Sequence, residues 1–505
     1  MSARGHRFVL LLSVTLAGMA VLIIEITAIR MLAPYFGNSI FTISSVIGII
    51  LAALGLGYYL GGSLADRRPS AAWFFSLIVV AGFSVLLLQF LNAVLLPGIA
   101  YKLSLIDGPL IVSFLMFFLP ALFLAMLSPF AITLLHARDA GKGVGNASGL
   151  VFFWSTLGSI AGSLATGFLL IPHWGIGSIV AATGSGLVLL GGAGLLATRR
   201  LPKILPVGLA LLGLVSGIVL AHGGMVQSVV FAADGLYERI VIRDIPYRNR
   251  TARILMQDLN VSGGLVLDGG GMAFDYTRYF DLYRLFTPEL KTALAIGGGA
   301  YTVPRSILHD SPRAIVDVAE IDPSLHALAL RYFDLPDDAR LKNHVIDGRR
   351  FLHDTEERYD LIFSDAYRSF ISAPPQFATL EFFLLARSRL KEDGVLIANF
   401  YGSLAPDTRA TIYSVLRTMR AAFPQVYVIA TVSPASEELQ NFIFVGHNAS
   451  NPEQRVDLRK AAALELRAAD ALLDSYPVLT DDFAPLEYYA ANAIRRYDAA
   501  SGRAH

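Results

Sequence analysis

Along the first 223 residues nearly every position is apolar, and the apolar runs are long. Seven of them, near 8–31, 40–64, 71–97, 109–136, 147–171, 175–198 and 204–222, have the length needed to span a bilayer core; that requirement is roughly 20 residues for a helix. The pattern predicts a multi-span α-helical membrane domain over 1–223. The pattern changes after it. Residues 224–234 read as a short linker. From Tyr237 to Leu267 apolar and polar positions alternate (YERIVIRDI, ARILMQDL, GGLVLDG), with Asn and Gly between the runs. That predicts a small antiparallel sheet within a 224–290 subdomain. In FDYTRYFDLYRLF (274–286) the aromatics fall three and four apart, which predicts a helix.

From Thr292 onward short apolar strands alternate with amphipathic helices in the βαβ rhythm of an α/β Rossmann-like domain, 291–505. TALAI runs into Gly297-Gly298-Gly299. IVDVA ends in Glu320, HVI in Asp347-Gly348, and YDLIFS in Asp365. Helices are predicted over 323–333, 379–390 and 407–423, and further strands at GVLIANF (394–400), VYVIATV (426–432) and NFIFVGH (441–447). The tail VLTDDFAPLEYY (478–489) reads as irregular. No internal repeat shows in the sequence.

The acids stand where ligands bind in an open α/β sheet, at the carboxyl ends of strands. Gly297 and Gly299 let the backbone approach a ligand closely as strand turns into helix. Glu320, about 20 residues further on, suits the hydroxyls of a ribose. Taken singly, each acid is equally well a helix cap or a solvated loop charge. Together with the glycines they point to nucleoside binding. Tyr276 and Tyr279 serve either helix-to-sheet packing or a substrate pocket.

Charge separates the two halves. Residues 1–223 carry 11 Lys/Arg and 4 Asp/Glu, whereas the other 282 carry 30 and 36, a split hidden in a net charge of +1. No basic patch or nucleic-acid motif appears, so no nucleic-acid partner is expected. The absence of cysteine excludes disulfides, thiolate metal sites and cysteine nucleophiles. Arg4, Arg7, Arg67, Arg68, Arg138, Lys142, Arg199, Arg200 and Lys203 fall on alternate loops from Lys102 and Arg30. The positive-inside rule therefore places the N-terminus in the cytoplasm. Seven spans then put residues 224–505 outside it. Glu25, deep in the first span, either fixes helix packing or marks function. GGSLADRR (61–68) looks like the loop signature of major-facilitator transporters.

AIGGG, VAEIDP, IDGRRFL and YDLIFSDAY resemble the spermidine synthases (polyamine aminopropyltransferases), in the bacterial form with a multi-span membrane domain fused in front, over roughly 230–490. The resemblance implies an inner-membrane, multi-pass enzyme that transfers an aminopropyl group from decarboxylated S-adenosylmethionine to a small-molecule amine, without a metal. It also suggests a homodimer. It makes Glu320 the ribose ligand, Asp347 and Gly348 the adenine contacts, and Asp365 the general base. The chain departs from the family at Arg368, where a second Asp holds the diamine, and at Ala300, where an acid grips the donor's amino end. It departs again at Glu238 and around Met272, where the family has Gln. With Tyr276 and Tyr279, Glu238 is the candidate substrate contact. These departures weigh against putrescine as the acceptor. Two alternatives remain: a transferase of another kind using S-adenosylmethionine itself, and a non-enzymatic ligand-binding or transport-linked membrane protein. An outside location conflicts with a cytoplasmic S-adenosyl donor.

Overall fold

The computed structural model describes residues 3–137, 143–198, 228–269, 271–366, 374–449, 451 and 464–501. The seventh apolar run (204–222), the basic residues Arg138, Lys142, Arg199, Arg200 and Lys203, and Arg368 lie outside the described residues. The chain divides into two compact units, one made of residues 1–226 and the other of residues 227–501.

Among the described residues of the first unit, six helices are long and apolar enough to cross a membrane: Gly5–Phe36, Ile40–Arg67, Ala71–Val94, Gly108–His136, Val144–His173 and Ile176–Ala197. Their regular α-helical parts are α1 (Ala3–Phe36), α2 (Ile40–Arg67), α3 (Ala71–Phe90), α4 (Gly108–Ala125), α5 (Leu127–His136), α6 (Val144–Ala165) and α7 (Ile176–Ala197). The break between α4 and α5 has a local cause. Pro129 offers no N–H, and its ring crowds the carbonyl four residues back, at Ala125. Ser39 caps α2 by accepting from the Thr42 amide at 3.3 Å, and Ser70 caps α3 by accepting from Ala72 at 3.2 Å. Bulky residues such as Phe114, Phe152, Phe153 and Leu189 face outward, as expected of helices solvated by lipid.

Small residues set the helix pairings. A Cβ at Gly57 or Gly61 of α2 would lie 2.5 Å from the carbonyl oxygens of Leu122 and Met126. A Cβ at Gly158 or Gly162 of α6 would lie 1.9 and 2.5 Å from those of Thr15 and Met19 on α1. The third helices meet reciprocally: Gly82 of α3 would reach the Gly184 oxygen at 2.9 Å, and Gly184 of α7 the Gly82 oxygen at 3.0 Å. The first three of these helices and the last three therefore pack on each other through matching glycine-to-backbone contacts.

The second unit opens with a four-stranded antiparallel sheet in the order β1 (Val229–Asp234), β2 (Arg239–Tyr247), β3 (Arg250–Gln257), β4 (Asn260–Val266). Most of the stretch read as a linker is thus strand β1, paired antiparallel with β2. The aromatic stretch 274–286 is a 3₁₀ helix, Asp275–Leu285, not an α-helix. Thr277, Phe280 and Tyr283 are its buried residues, and their spacing of three puts them on one line in 3₁₀ geometry.

A seven-stranded sheet follows: β5 (Thr292–Ile296), β6 (Ile315–Glu320), β7 (Leu341–Val345), β8 (Tyr359–Ser364), β9 (Leu390–Gly402), β10 (Gln425–Ala430) and β11 (Gln440–His447). Its spatial order is β10-β11-β9-β8-β5-β6-β7. β5 to β9 pair in parallel, and β10 and β11 add antiparallel at one side. Helices cover both faces, α8 (Thr302–Asp310) and α9 (Leu325–Tyr332) on one, α10 (Gly348–Asp354), α11 (Leu380–Ser388) and α12 (Ala410–Ala422) on the other. The chain runs outward from β5 through β6 to β7, then returns to β8 on the other side of β5. That reversal opens a crevice at the carboxyl ends of β5 and β8. The tail is helical from Leu486 to Ser501, beyond what its sequence suggests.

Candidate functional site

The crevice is built on the turn that leaves β5. Gly297 (φ +88°) and Gly299 (φ +50°) occupy backbone regions that a side chain disfavours. Gly299 has no room for one either, since a Cβ would sit 2.2 Å from the Ser262 oxygen. β4 therefore lies directly against the glycine turn, and the Ala300 amide donates to that same Ser262 oxygen at 3.2 Å. Around the resulting cleft stand Ser262, Gly263, Tyr276, Thr277, Gly297, Gly298, Gly299, Thr302, Val303, Pro304, Phe363 and Asp365.

Glu320, at the end of β6, is buried, and its two oxygens accept from the amides of Gly298 at 2.7 Å and Asp322 at 2.8 Å. Burial raises its pKa, and these N–H donors pull it back. A carboxylate has about four lone-pair positions, and with the Gly299 amide also directed at it, this one keeps capacity for a ligand hydroxyl. That capacity, with a turn that only glycine can make, fits a nucleoside.

Tyr301 is unexpected. It sits in the left-handed region at φ +55°, rare for a bulky residue, and is fully buried. Its hydroxyl donates to Asn343 at 2.5 Å, and its ring occupies the space beside Gly298, 2.4 Å from where a Cβ would be. Burial and the charges of Glu320 and Asp322 push its pKa well up, so it stays a neutral donor. It braces the amide that Glu320 accepts.

Asp365 follows β8 and faces the glycines across the cleft. Its carboxylate accepts from Asn399 of β9 at 2.9 Å and from the Tyr276 hydroxyl. Asn399 in turn accepts from Asn441 of β11 at 3.0 Å. Burial pushes the Asp365 pKa up to about 6, against the two hydrogen bonds, which lower it. A carboxylate in that range is poised to exchange a proton near neutrality.

The other sequence candidates divide. Tyr276 joins Asp365, whereas Tyr279 is partly buried and packs against the core. Asp347 caps α10, accepting from the Arg350 amide at 2.9 Å. Gly348 packs closely on Ile296, which a Cβ there would strike at 2.3 Å. Glu238 lies in the turn between β1 and β2, outside the cleft lining, with its carbonyl accepting from Gly235. Gly235 in turn approaches the carboxylate of Asp322. Sequence reasoning missed Asn399, although one polar residue inside the apolar strand GVLIANF is a signal. It also missed Ser262 and Gly263, although paired glycines within a strand mark a close backbone approach. Nothing in the sequence singles out Tyr301 or Asn441.

Part of the chain is similar to known proteins. Residues 280–456 match the spermine/spermidine synthase domain. A probable polyamine aminopropyl transferase of Bifidobacterium longum is 28% identical over 241 residues, 43% of this chain and only about half, 53%, of that relative. Polyamine aminopropyltransferase 2 of Aquifex aeolicus is 26% identical over 452 residues, 85% of each chain, so its likeness extends into the membrane unit. Among solved structures, a probable spermidine synthase from Corynebacterium glutamicum aligns with TM-score 0.41 at 22% identity, covering 55% of this chain and 95% of the other.

Proposed function

We propose that this chain, whose residues 280–456 match the spermine/spermidine synthase domain, is a membrane-anchored aminopropyltransferase-type enzyme. It moves a propylamine-bearing group from an S-adenosyl donor, S-adenosylmethionine or its decarboxylated form, to an amine. Glu320 holds the ribose hydroxyls, the turn Gly297–Gly299 lies along the nucleoside, and Asp347 with Gly348 borders the adenine. Tyr276 and Asp365 line the place where the amine enters.

The observation that carries this reading is the setting of Asp365. Its carboxylate is held by one amide and one phenol across a narrow cleft from the glycine turn, with its pKa pushed up to about 6. An amine attacking carbon next to a sulfonium must lose a proton, and a carboxylate there accepts it. The sulfonium leaves readily, so positioning and charge supply most of the catalysis. The acceptor is an amine other than putrescine, because position 368 carries Arg in place of an acid.

The test is to incubate the purified full chain with each donor and a panel of amines, and to follow release of methylthioadenosine. Release that requires Asp365 supports the reading. Nucleoside binding without release from either donor refutes it. It would favour a second reading, ligand binding coupled to a transport function of the membrane unit, to which the six long apolar helices among the described residues lend weight.

A further inference from the structure

We infer that the donor in this cleft keeps its α-carboxylate, which is held by the first turn of α8 and the hydroxyl of Thr302. The group transferred is then 3-amino-3-carboxypropyl rather than aminopropyl. This rests on the nucleoside reading above and decides between its two donors.

Position 300 cannot supply an acid to grip a donor ammonium group. Ala300 is 2% exposed, its amide is bonded to β4, and its methyl lies 2.8 Å from where Gly263 would place a Cβ. The packing that brings β4 onto the glycine turn thus closes this position to a longer side chain. A decarboxylated donor, whose tail ends in a bare ammonium group, finds no carboxylate there.

What the cleft offers instead suits an anion. Thr302, Val303 and Pro304 line it and form the first turn of α8. Tyr301, at the cap position, makes no side-chain bond to that turn. Among the described residues the amides of Thr302 and Val303 have no acceptor, and Pro304 has no amide to satisfy. Such a helix end carries a partial positive charge and attracts carboxylates. Thr302 makes the second, independent observation. It is 6% exposed and lines the cleft, yet its hydroxyl has no hydrogen-bond partner among the described residues. A hydroxyl that opens on the cleft and bonds no protein group is left to donate to a ligand oxygen. Asp365 is the one acidic side chain among the cleft-lining residues. An amino-acid tail matches this arrangement, with its carboxylate on the helix end and the Asp365 side left for positive charge and for the incoming amine.

The reaction balances without a further reagent. The acceptor nitrogen forms a bond to the methylene carbon attached to sulfur. The carbon–sulfur bond breaks, and its electron pair stays on sulfur, giving neutral methylthioadenosine. The proton released from nitrogen goes to Asp365.

Calorimetric titration of the detergent-solubilised full chain with three probes tests this. S-adenosylhomocysteine carries carboxylate and amine, its decarboxylated analogue carries the amine alone, and methylthioadenosine carries no tail. The expected order is S-adenosylhomocysteine tighter than the decarboxylated analogue by about tenfold or more, the size of one charge-assisted hydrogen-bond set. T302V should remove most of that difference while leaving methylthioadenosine affinity unchanged, which also reports that the variant is folded. If T302V loses methylthioadenosine as well, the wild-type ranking alone decides. Equal affinities for the two tailed probes, or tighter binding of the decarboxylated one, overturn the inference and leave the nucleoside reading standing. Failure of all three to bind overturns both.

Discussion

Replacing Asp365 by Asn should abolish transfer and, above pH 6, stabilise the α/β unit. The ordinary aspartate pKa is 3.8, and burial moves this one to about 6. Two pH units correspond to about 3 kcal/mol of differential interaction between the two protonation states. The sign follows from proton linkage. The folded state binds the proton more tightly than the unfolded state, so the contribution to stability is fully present below pH 4. It is lost as the pH rises through about 6. Above that the ionised carboxylate costs about 3 kcal/mol relative to a neutral side chain of the same shape. Asn at this position keeps an oxygen to accept from Asn399, and its amide nitrogen can donate to the Tyr276 hydroxyl in place of accepting from it, so the comparison removes the charge and reverses one hydrogen bond. The assay is thermal unfolding of the detergent-solubilised chain at several pH values between 4 and 8, followed by near-ultraviolet circular dichroism of the tyrosines. The midpoint of D365N should match wild type near pH 4 and exceed it by several degrees near pH 8. A difference that does not change with pH, or a D365N chain less stable at pH 8, would refute the argument. Catalysis then operates at the expense of stability, a usual arrangement for an active-site acid.

The transfer rate of the wild-type chain should fall about tenfold per pH unit below pH 6, as protonation of Asp365 removes the base; a flat profile from pH 5 to 7 would contradict its assignment. Glu320→Gln should weaken methylthioadenosine binding by about tenfold or more, since an amide cannot accept from both Gly298 and Asp322 and still serve a ribose. Gly299→Ala combines a φ of +50° with a clash on Ser262, so nucleoside binding should be lost together with about 1–3 kcal/mol of stability, measured by the same melts. In the membrane unit, Gly158→Leu and Gly57→Leu should each reduce the fraction recovered as a single species by size exclusion. Gly186→Leu, where nothing lies within 4 Å, should not.

The features legible in the sequence are those set by short-range periodicity. Long apolar runs mark the membrane helices because a bilayer demands length and apolarity and little else. The βαβ rhythm marks the parallel sheet because each strand and helix buries a face of its own. Glu320 and Asp365 could be named because a strand end is a local feature, and the parallel register then brings all strand ends to one edge. Asp347 shows the limit of that logic, since the same position also caps a helix. What the tertiary structure decided depends on segments far apart in the chain. β4 closes over Ala300, Asn441 reaches Asn399 from an antiparallel neighbour, and the left-handed Tyr301 donates to Asn343. The two halves of the membrane unit pack glycine against backbone across about a hundred residues of sequence. None of these follows from a local pattern, because each is a close approach of two surfaces, and which surfaces meet is settled only when the whole core packs.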